Sequence, residues 1–319
     1  MSNLPKDRVT INRPFYTTGV DFGGPLLIKS STLKNAKIVK CYFAVFVCMA
    51  TKAIHIELVS DLTTEAFIAT LKRFIARRGN PAVIYSDNAT NFLGSKNQLK
   101  ELYTYFKKSN NVKEIQEFLS EKETQWKFIP PLSPHWGGLW EAAVKSIKYH
   151  LYRVIGSAHL TFEKLYTCLI QIEAILNSRP LCPLSNNPLD FNVLTPGHFL
   201  IGQSLTAFPE KDLTQVSYNR LTQWQHCTKI QQHFWKRWSV EYLNRLQNRP
   251  KWLHDCKNLK IGDLVLLKED NIPPLKWPRA RILEVIPGAD GKIRMVNLKT
   301  QNGTFVRNIT KVCPLFMQE

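Results

Sequence analysis

Thr17-Thr18-Gly19-Val20-Asp21-Phe22-Gly23-Gly24-Pro25-Leu26-Leu27-Ile28 is an apolar run that carries a single carboxylate. It reads as a strand interrupted by Gly23-Gly24-Pro25. A carboxylate inside such a strand is unfavourable unless it is paired or holds a cation. Two β-rich runs follow, 38–50 and 53–59, separated by a short polar turn and so predicted to form a hairpin. The next segment, 63–78, has the pattern of an amphipathic helix, with Phe67, Leu71, Phe74 and Ile75 on its apolar face. Thr63 or Thr64 can cap it, and Gly79-Asn80-Pro81 stops it.

A second apolar run, 82–86, leads directly into Asp87. Helices are expected at 97–108 and 112–119, and a short strand at 125–129. The loop Pro130-Pro131-Leu132-Ser133-Pro134-His135-Trp136 then precedes a helix opened by Gly137-Gly138, which places Glu141 in its first turn with Lys145 and Lys148 behind it. Another helix is expected over 162–177. Strands and helices in this order make a mixed α/β domain. Prolines and polar residues mark 181–208 as a connecting segment, and the proline-free stretch 211–249 carries Ile230, Phe234, Trp238 and Tyr242 at helical spacing. After Pro250 come short β-runs at 262–267, 281–286, 292–298 and 303–309, the pattern of a small β-barrel.

Composition narrows the function. The 319 residues are 44% hydrophobic, enough for a packed core, and the formal net charge of +18 points to a polyanionic partner. A basic protein kept soluble by its charge, or one binding acidic proteins, fits the same number. Seven cysteines form no Cys-x-x-Cys pair and none lies at zinc-finger spacing from paired histidines, so they read as buried free thiols of a reducing compartment. The amino terminus lacks the apolar core of a secretory signal. The longest apolar run, 41–50, falls well short of the ~20 residues of a membrane span. A soluble, intracellular protein without membrane contact is expected.

Asp21, Asp87 and Glu141 stand out by position. Carboxylates from separate elements can hold two hard divalent cations for attack on a phosphodiester. Singly, each also reads as a turn or cap residue, or as a helix-dipole partner. Their surroundings are more specific. Val20-Asp21-Phe22-Gly23-Gly24-Pro25, Ser86-Asp87-Asn88-Ala89-Thr90-Asn91-Phe92 and Ser133-Pro134-His135-Trp136-Gly137-Gly138-Leu139-Trp140-Glu141 occur in order. They resemble the three acidic motifs of retroviral-type integrases, and the last is most similar to Bel/Pao-type retrotransposon integrases. Phe234-Trp235-Lys236-Arg237-Trp238, Gly262-Asp263-Leu264-Val265 and Pro273-Pro274-Leu275-Lys276-Trp277 resemble the tail that follows the core in those polyproteins.

The resemblance implies a ribonuclease-H-like mixed sheet flanked by helices, then a helical linker and a small carboxy-terminal β-barrel. The corresponding division is an arm at 1–15, a catalytic core at 16–205, a basic helical linker at 206–258 and a β-barrel at 259–319. It also implies two Mg²⁺ or Mn²⁺ ions on Asp21, Asp87 and Glu141, no small-molecule cofactor, and 3′-end processing and strand transfer of element DNA into target DNA. A homo-oligomer acting in the nucleus follows from that substrate. Three features depart from the family pattern. The 53 residues between Asp87 and Glu141 exceed its usual spacing, so an insertion near 107–123 is expected to loop out. Ala89 replaces a usual glycine, and the His/His/Cys/Cys zinc module that precedes the core in the family is missing from this sequence. Two other readings stay open: a non-catalytic DNA-binding or assembly protein derived from an integrase, and a nuclease acting on RNA–DNA hybrids.

Lys145 and Lys148, four and seven residues after Glu141, are candidate phosphate contacts or a solvated helix face. Asn91 reads as a DNA contact or a cap, and His135 as a DNA- or water-positioning residue or a hydrogen-bonded loop histidine. In the tail, Lys236 and Arg237 belong to a basic set with Lys229, Arg245, Arg249, Lys251, Lys257 and Lys260. Interleaved Trp235, Trp238 and Trp252 suit base stacking or a buried stripe. Arg279, Arg281, Lys292, Arg294, Lys299, Arg307 and Lys311 form a candidate DNA face on the barrel.

Overall fold

In the computed structural model the described residues are 6–33, 35–86, 109–121, 123–128, 134–156, 159–185, 187–247, 259–288, 291 and 293–315, with backbone alone at 109–112 and 134–142. They fold as two compact units, one made of 1–176 with 217–230, the other of 177–216 with 231–319.

The first unit is built on a five-stranded sheet. Strands β1 (Thr17–Lys29), β2 (Ile38–Cys48) and β3 (Ile54–Val59) form an antiparallel meander, and β4 (Val83–Ser86) and β5 (Gln125–Phe128) add in parallel, giving the order β3-β2-β1-β4-β5. Helices α2 (Thr64–Arg78), α3 (Ser109–Glu121), α4 (Pro134–Ile155) and α5 (Phe162–Asn177) accompany it. This is the mixed, helix-flanked sheet of a ribonuclease-H-like core. β2 is buried from Cys41 to Cys48, which its unbroken apolar sequence requires. Phe15, Phe46 and Phe74 make the centre: Phe46 stacks on Phe74 at 4.2 Å, and Phe15 meets Phe74 edge-on at 5.4 Å.

Local chemistry sets the ends of α2. Thr63 Oγ1 accepts from the Ala66 amide at 3.2 Å, and Gly79, at φ 83°, donates its amide to Ile75 O. The arm ahead of β1 is tied down as well. Arg13 donates to the carbonyls of Arg78 and Asn80, and the four-residue helix α1 (Lys6–Val9) brings Asp7 to Tyr85, whose hydroxyl donates to Asp7 Oδ2 at 2.7 Å.

One sequence expectation needs correction. The helix before Glu141 begins at Pro134, not at Gly137-Gly138, so Glu141 stands about two turns in and His135 is helical. Proline suits a first helical turn because its fixed φ is helical and its missing N–H has no partner to lose there. The helix expected at 112–119 is α3, with Ile115 and Leu119 buried and Lys72 Nζ 5.7 Å above the Phe118 ring. The helix expected at 97–108 lies outside the described residues.

The second unit holds a short pair β6 (Cys182–Pro183) and β7 (Val193–Leu194) and helix α6 (Pro196–Ile201). It also takes all but the first eight residues of the long helix α7 (Gln223–Leu246). Its main sheet is antiparallel: β8 (Leu264–Leu267), β9 (Arg279–Pro287), β10 (Ile293–Thr300), β11 (Gly303–Asn308) and β12 (Val312–Pro314), in the order β11-β10-β9-β8-β12. The expected small β domain is this sheet, cored by Val265, Leu267, Ile282, Val296 and Leu298. Leu243 of α7 packs with Leu264, Leu266 and Cys313 in a second cluster. No helix among the described residues is long and apolar enough to cross a membrane.

Candidate functional site

Parallel pairing puts the two aspartate-bearing segments side by side. Val20 of β1 is in register with Ser86 of β4, and these are the residues immediately before Asp21 and Asp87. The end of β4 is held from several sides. Ser86 Oγ accepts from Trp126 Nε1 at 2.7 Å, the Trp126 ring lies 5.9 Å from Phe67, and Phe67 meets Phe22 edge-on at 5.2 Å. The Tyr85–Asp7 bond fixes it from the arm. Gly23, two residues past Asp21, is required by its neighbour: a Cβ there would sit 2.0 Å from Phe43 Cζ.

Asp21 is half-buried, and its Oδ1 accepts from the Phe22 amide at 2.7 Å. Burial pushes its carboxyl above the usual range, against the pull of the Lys148 charge and the Phe22 amide. Lys148, on α4, is lowered by burial while Asp21 opposes the shift. Both groups therefore move toward their neutral forms: their attraction does not repay the loss of water around them. Helix α4, which packs on β1 and β2, also carries Glu141, seven residues before Lys148.

The amino-terminal part of the chain has known relatives. Residues 13–134 match the family model described as integrase core domain. The match takes in Asp21 and Asp87 and ends before Glu141. Residues 222–315 match a second model, described as a family of unknown function, over the stretch that sequence reading assigned to the tail. No curated protein matches the chain in sequence. Among solved structures it is similar to a simian T-cell lymphotropic virus intasome in complex with a PP2A regulatory subunit, at 13% identity and TM-score 0.39, over 100% of this chain and 85% of that one. It is also similar to the catalytic core domain of BIV integrase, at 15% identity and TM-score 0.37, over 59% and 95%. The HTLV-2 integrase catalytic core domain in complex with magnesium, in a dimeric form, gives 18% identity and TM-score 0.33, over 52% and 88%.

Of the site residues expected in the first unit, Asp21 and Lys148 are brought together, while Lys145 is exposed on α4. Asp87 and Asn91 lie outside the described residues, and Glu141 and His135 are described in backbone only. Among the described residues no three His, Cys, Asp or Glu side chains gather as a metal site. Two of the three expected ligands are outside that set.

The tail divides its basic residues in a way sequence reading did not anticipate. Lys236 and Arg237 are exposed on α7. Trp235 and Trp238 are buried: Trp235 Nε1 donates to Ile272 O at 2.8 Å, and Trp238 stacks on Tyr242 at 5.5 Å. Their faces serve the core, so the stacking role fails for both, and Trp252 lies outside the described residues. Lys229 is buried with its Nζ 4.2 Å above the Tyr218 ring. Arg281, expected on a DNA face, is 5% exposed; it donates to the carbonyls of Gly262, Ser185 and Asp190. Burial also lowers Arg279, against the charge of Asp190. Arg294 and Lys311 remain exposed.

Sequence reading also passed over a buried charge cluster in the first unit. His55 Nε2 lies 3.1 Å from Glu57 Oε1 and its Nδ1 3.4 Å from Glu173 Oε2. Glu57 pairs with Arg73 at 2.6 Å and Arg77 at 3.0 Å, and Glu173 with Arg78 at 2.5 Å. Glu173 Oε2 also accepts the Ile56 amide at 2.7 Å, satisfying main chain on edge strand β3. The available signal was Ile54-His55-Ile56-Glu57-Leu58-Val59, an apolar run with two ionisable residues on one face.

Proposed function

We propose that this chain is an integrase-type polynucleotidyl transferase that processes the 3′ ends of element DNA and joins them to target DNA. One observation carries the reading: within an integrase core domain, the half-buried Asp21 lies in register beside the strand that leads to Asp87, and its burial is not repaid by Lys148. A carboxylate so placed fits a hard divalent cation, whose preferred donors are oxygens. Asp21, Asp87 and Glu141 would hold two such ions, Mg²⁺ or Mn²⁺. When bound, the ions supply charge stabilisation at the phosphodiester and an activated oxygen nucleophile.

The protein's own residues orient the substrate. Lys145, exposed one turn past Glu141, and Lys148, beside Asp21, are assigned to DNA phosphates. Asn91 and His135 are assigned to DNA contact with them. Exposed Lys236 and Arg237 extend backbone contact in the tail, which in this reading comprises a basic linker (206–258) and a β domain (259–319) after the arm (1–15) and core (16–205). The active species is a homo-oligomer working on nuclear DNA.

The test is a strand-transfer assay on short duplex ends with Mg²⁺ or Mn²⁺, comparing the parent with Asp87→Asn. Activity is expected in the parent alone. Equal activity in both would remove the catalytic assignment. Binding should weaken steeply with salt, and a flat dependence would remove the role given to the basic tail.

A further inference from the structure

Past Glu141, helix α4 carries cations and aromatic rings but no acid. The next carboxylate after Glu141 is Glu163, and Lys145, Lys148, Tyr149, Tyr152 and Arg153 lie between. Positions 141, 145, 148 and 152 recur at steps of four, three and four, so they share one face of the helix. Lys148 shows where that face looks, because its charge reaches Asp21. Tyr149 and Arg153 border the same face. The Arg153 guanidinium carbon lies 3.5 Å from the centroid of the Tyr149 ring, and its Nη1 donates to Tyr149 O at 3.0 Å. Tyr152 is tied to β1, its hydroxyl donating to Pro25 O at 3.3 Å. Both rings are nonetheless open to solvent, Tyr149 at 51% and Tyr152 at 40%, and Arg153 is exposed beside them.

We propose that Tyr149, Tyr152 and Arg153 form a surface for the sugar–phosphate backbone of the DNA duplex, behind the reacting 3′ end. The inference rests on the strand-transfer reading for where that end sits; the surface itself is argued from charge and exposure. A stripe of cations with no carboxylate anywhere in 142–162 has its complement in a polyanion, as has the chain's formal net charge of +18. A merely solvated helix face has no use for ordered rings. Here each exposed ring is fixed by a neighbour, so part of the cost of ordering it is met before a ligand arrives. The Tyr149 hydroxyl and the guanidinium are both phosphate donors, and the bond to Tyr149 O takes only one of the five N–H groups of Arg153. Tyr152, whose one hydroxyl proton goes to Pro25 O, presents its ring to a sugar. Spacing sets the position along the DNA. Tyr152 and Arg153 follow Glu141 by eleven and twelve residues, about 16–18 Å along the helix at 1.5 Å per residue. With α4 lying along the duplex, a strand that advances about 3.4 Å per nucleotide brings roughly the fifth phosphate to them.

The experiment titrates the full chain into a short fluorescein-labelled duplex at several salt concentrations, with Mg²⁺ and a 3′-deoxy terminus that cannot be joined, so that anisotropy reads binding alone. Arg153→Gln should flatten the dependence of log affinity on log salt by about one. Arg153→Lys, which keeps the charge, should retain the parent slope, and this separates a lost contact from a lost fold. Tyr149→Phe keeps the ring under Arg153 and should weaken binding without changing the slope. A single methylphosphonate, which removes one phosphate charge, should cost the parent affinity at about the fifth phosphate from the 3′ end and cost Arg153→Gln nothing there. An unchanged slope in Arg153→Gln, or a methylphosphonate profile identical in parent and variant, would overturn the inference. So would a smaller sedimenting species for Tyr149→Ala with DNA affinity intact, which would give the face to a second copy of the chain. Failure of the strand-transfer reading looks different: Asp87→Asn then joins ends as well as the parent, while the slope lost in Arg153→Gln still supports the surface.

Discussion

Replacing Arg281 should cost the second unit stability and leave DNA affinity nearly untouched. The guanidinium is buried, and it makes four contacts of 2.8–3.2 Å to three main-chain carbonyls, those of Gly262, Ser185 and Asp190. A hydrogen bond from a charged donor contributes about 1.5–3 kcal/mol net, and a buried acceptor left without a donor costs about 1–3 kcal/mol. Water entering the space left by a shorter side chain recovers part of this. For Arg281→Met, which keeps the apolar stem and removes every donor, the expected loss is about 3–5 kcal/mol, the range for breaking a buried charged network. Arg281→Lys retains the charge but not the planar fork that serves three carbonyls at once, so about 2–3 kcal/mol is expected. Urea unfolding followed by tryptophan fluorescence reads the stability, since Trp235, Trp238 and Trp277 all lie in this unit. DNA affinity at several salt concentrations reads the other half: the salt slope should match the parent, whereas Lys236→Gln should flatten it by about one charge. A stability change below about 0.5 kcal/mol for Arg281→Met, the level of an unremarkable surface substitution, would refute the assignment of Arg281 to the core.

Two further outcomes follow from the first unit. Burial alone would lower His55, but its bonds to Glu173 and Glu57 outweigh burial and the opposing charge of Arg78, so its pKa is raised; Glu57 resists the upward push of burial through His55 and Arg73, and its pKa is lowered. The histidine contribution should then be complete below about pH 6.5 and fade as pH rises through its raised folded value, and that of Glu57 should be present above about pH 4.3 and fade as pH falls through its lowered one. Melting temperature against pH, with His55→Gln lacking the alkaline decline, checks both signs. Gly23→Ala forces a Cβ to 2.0 Å from the fully buried Phe43 ring, so a loss of about 1–3 kcal/mol is expected, along with reduced strand transfer as β1 shifts beside Asp21. Phe43→Leu in the same chain should restore part of the stability, and additive losses would show that the two side chains do not meet.

Much of the core was legible because its signals are local. The alternation and apolar runs of β1 to β3, the Thr63 cap, the Gly79 stop and the stripe of Ile230, Phe234 and Trp238 each depend on residues within a few turns of one another. The start of α4 was misread because Gly137-Gly138 looks like a helix break, while Pro134 is in fact an acceptable first residue. Partnerships that depend on chain reversal left little local trace. Nothing near Arg281 in sequence announces the carbonyls of Ser185 and Asp190, and nothing near His55 announces Glu173. The candidate site is intermediate: motif order marked Asp21, Asp87 and Glu141, but the electrostatic pairing of Asp21 with Lys148 needed the packing of α4 on β1.

The arm ahead of β1 sets where this module can be joined to anything else. Phe15 is fully enclosed against Phe74 and His55, Arg13 closes the end of α2, and Asp7 holds Tyr85 just before the second aspartate. A graft or evolutionary fusion at residue 16 would take a ring out of the hydrophobic centre and release the end of β4. Recombination that preserves this fold therefore has its seam upstream of Asp7, and the ten residues from there to Tyr16 travel with the first unit as part of its inheritance.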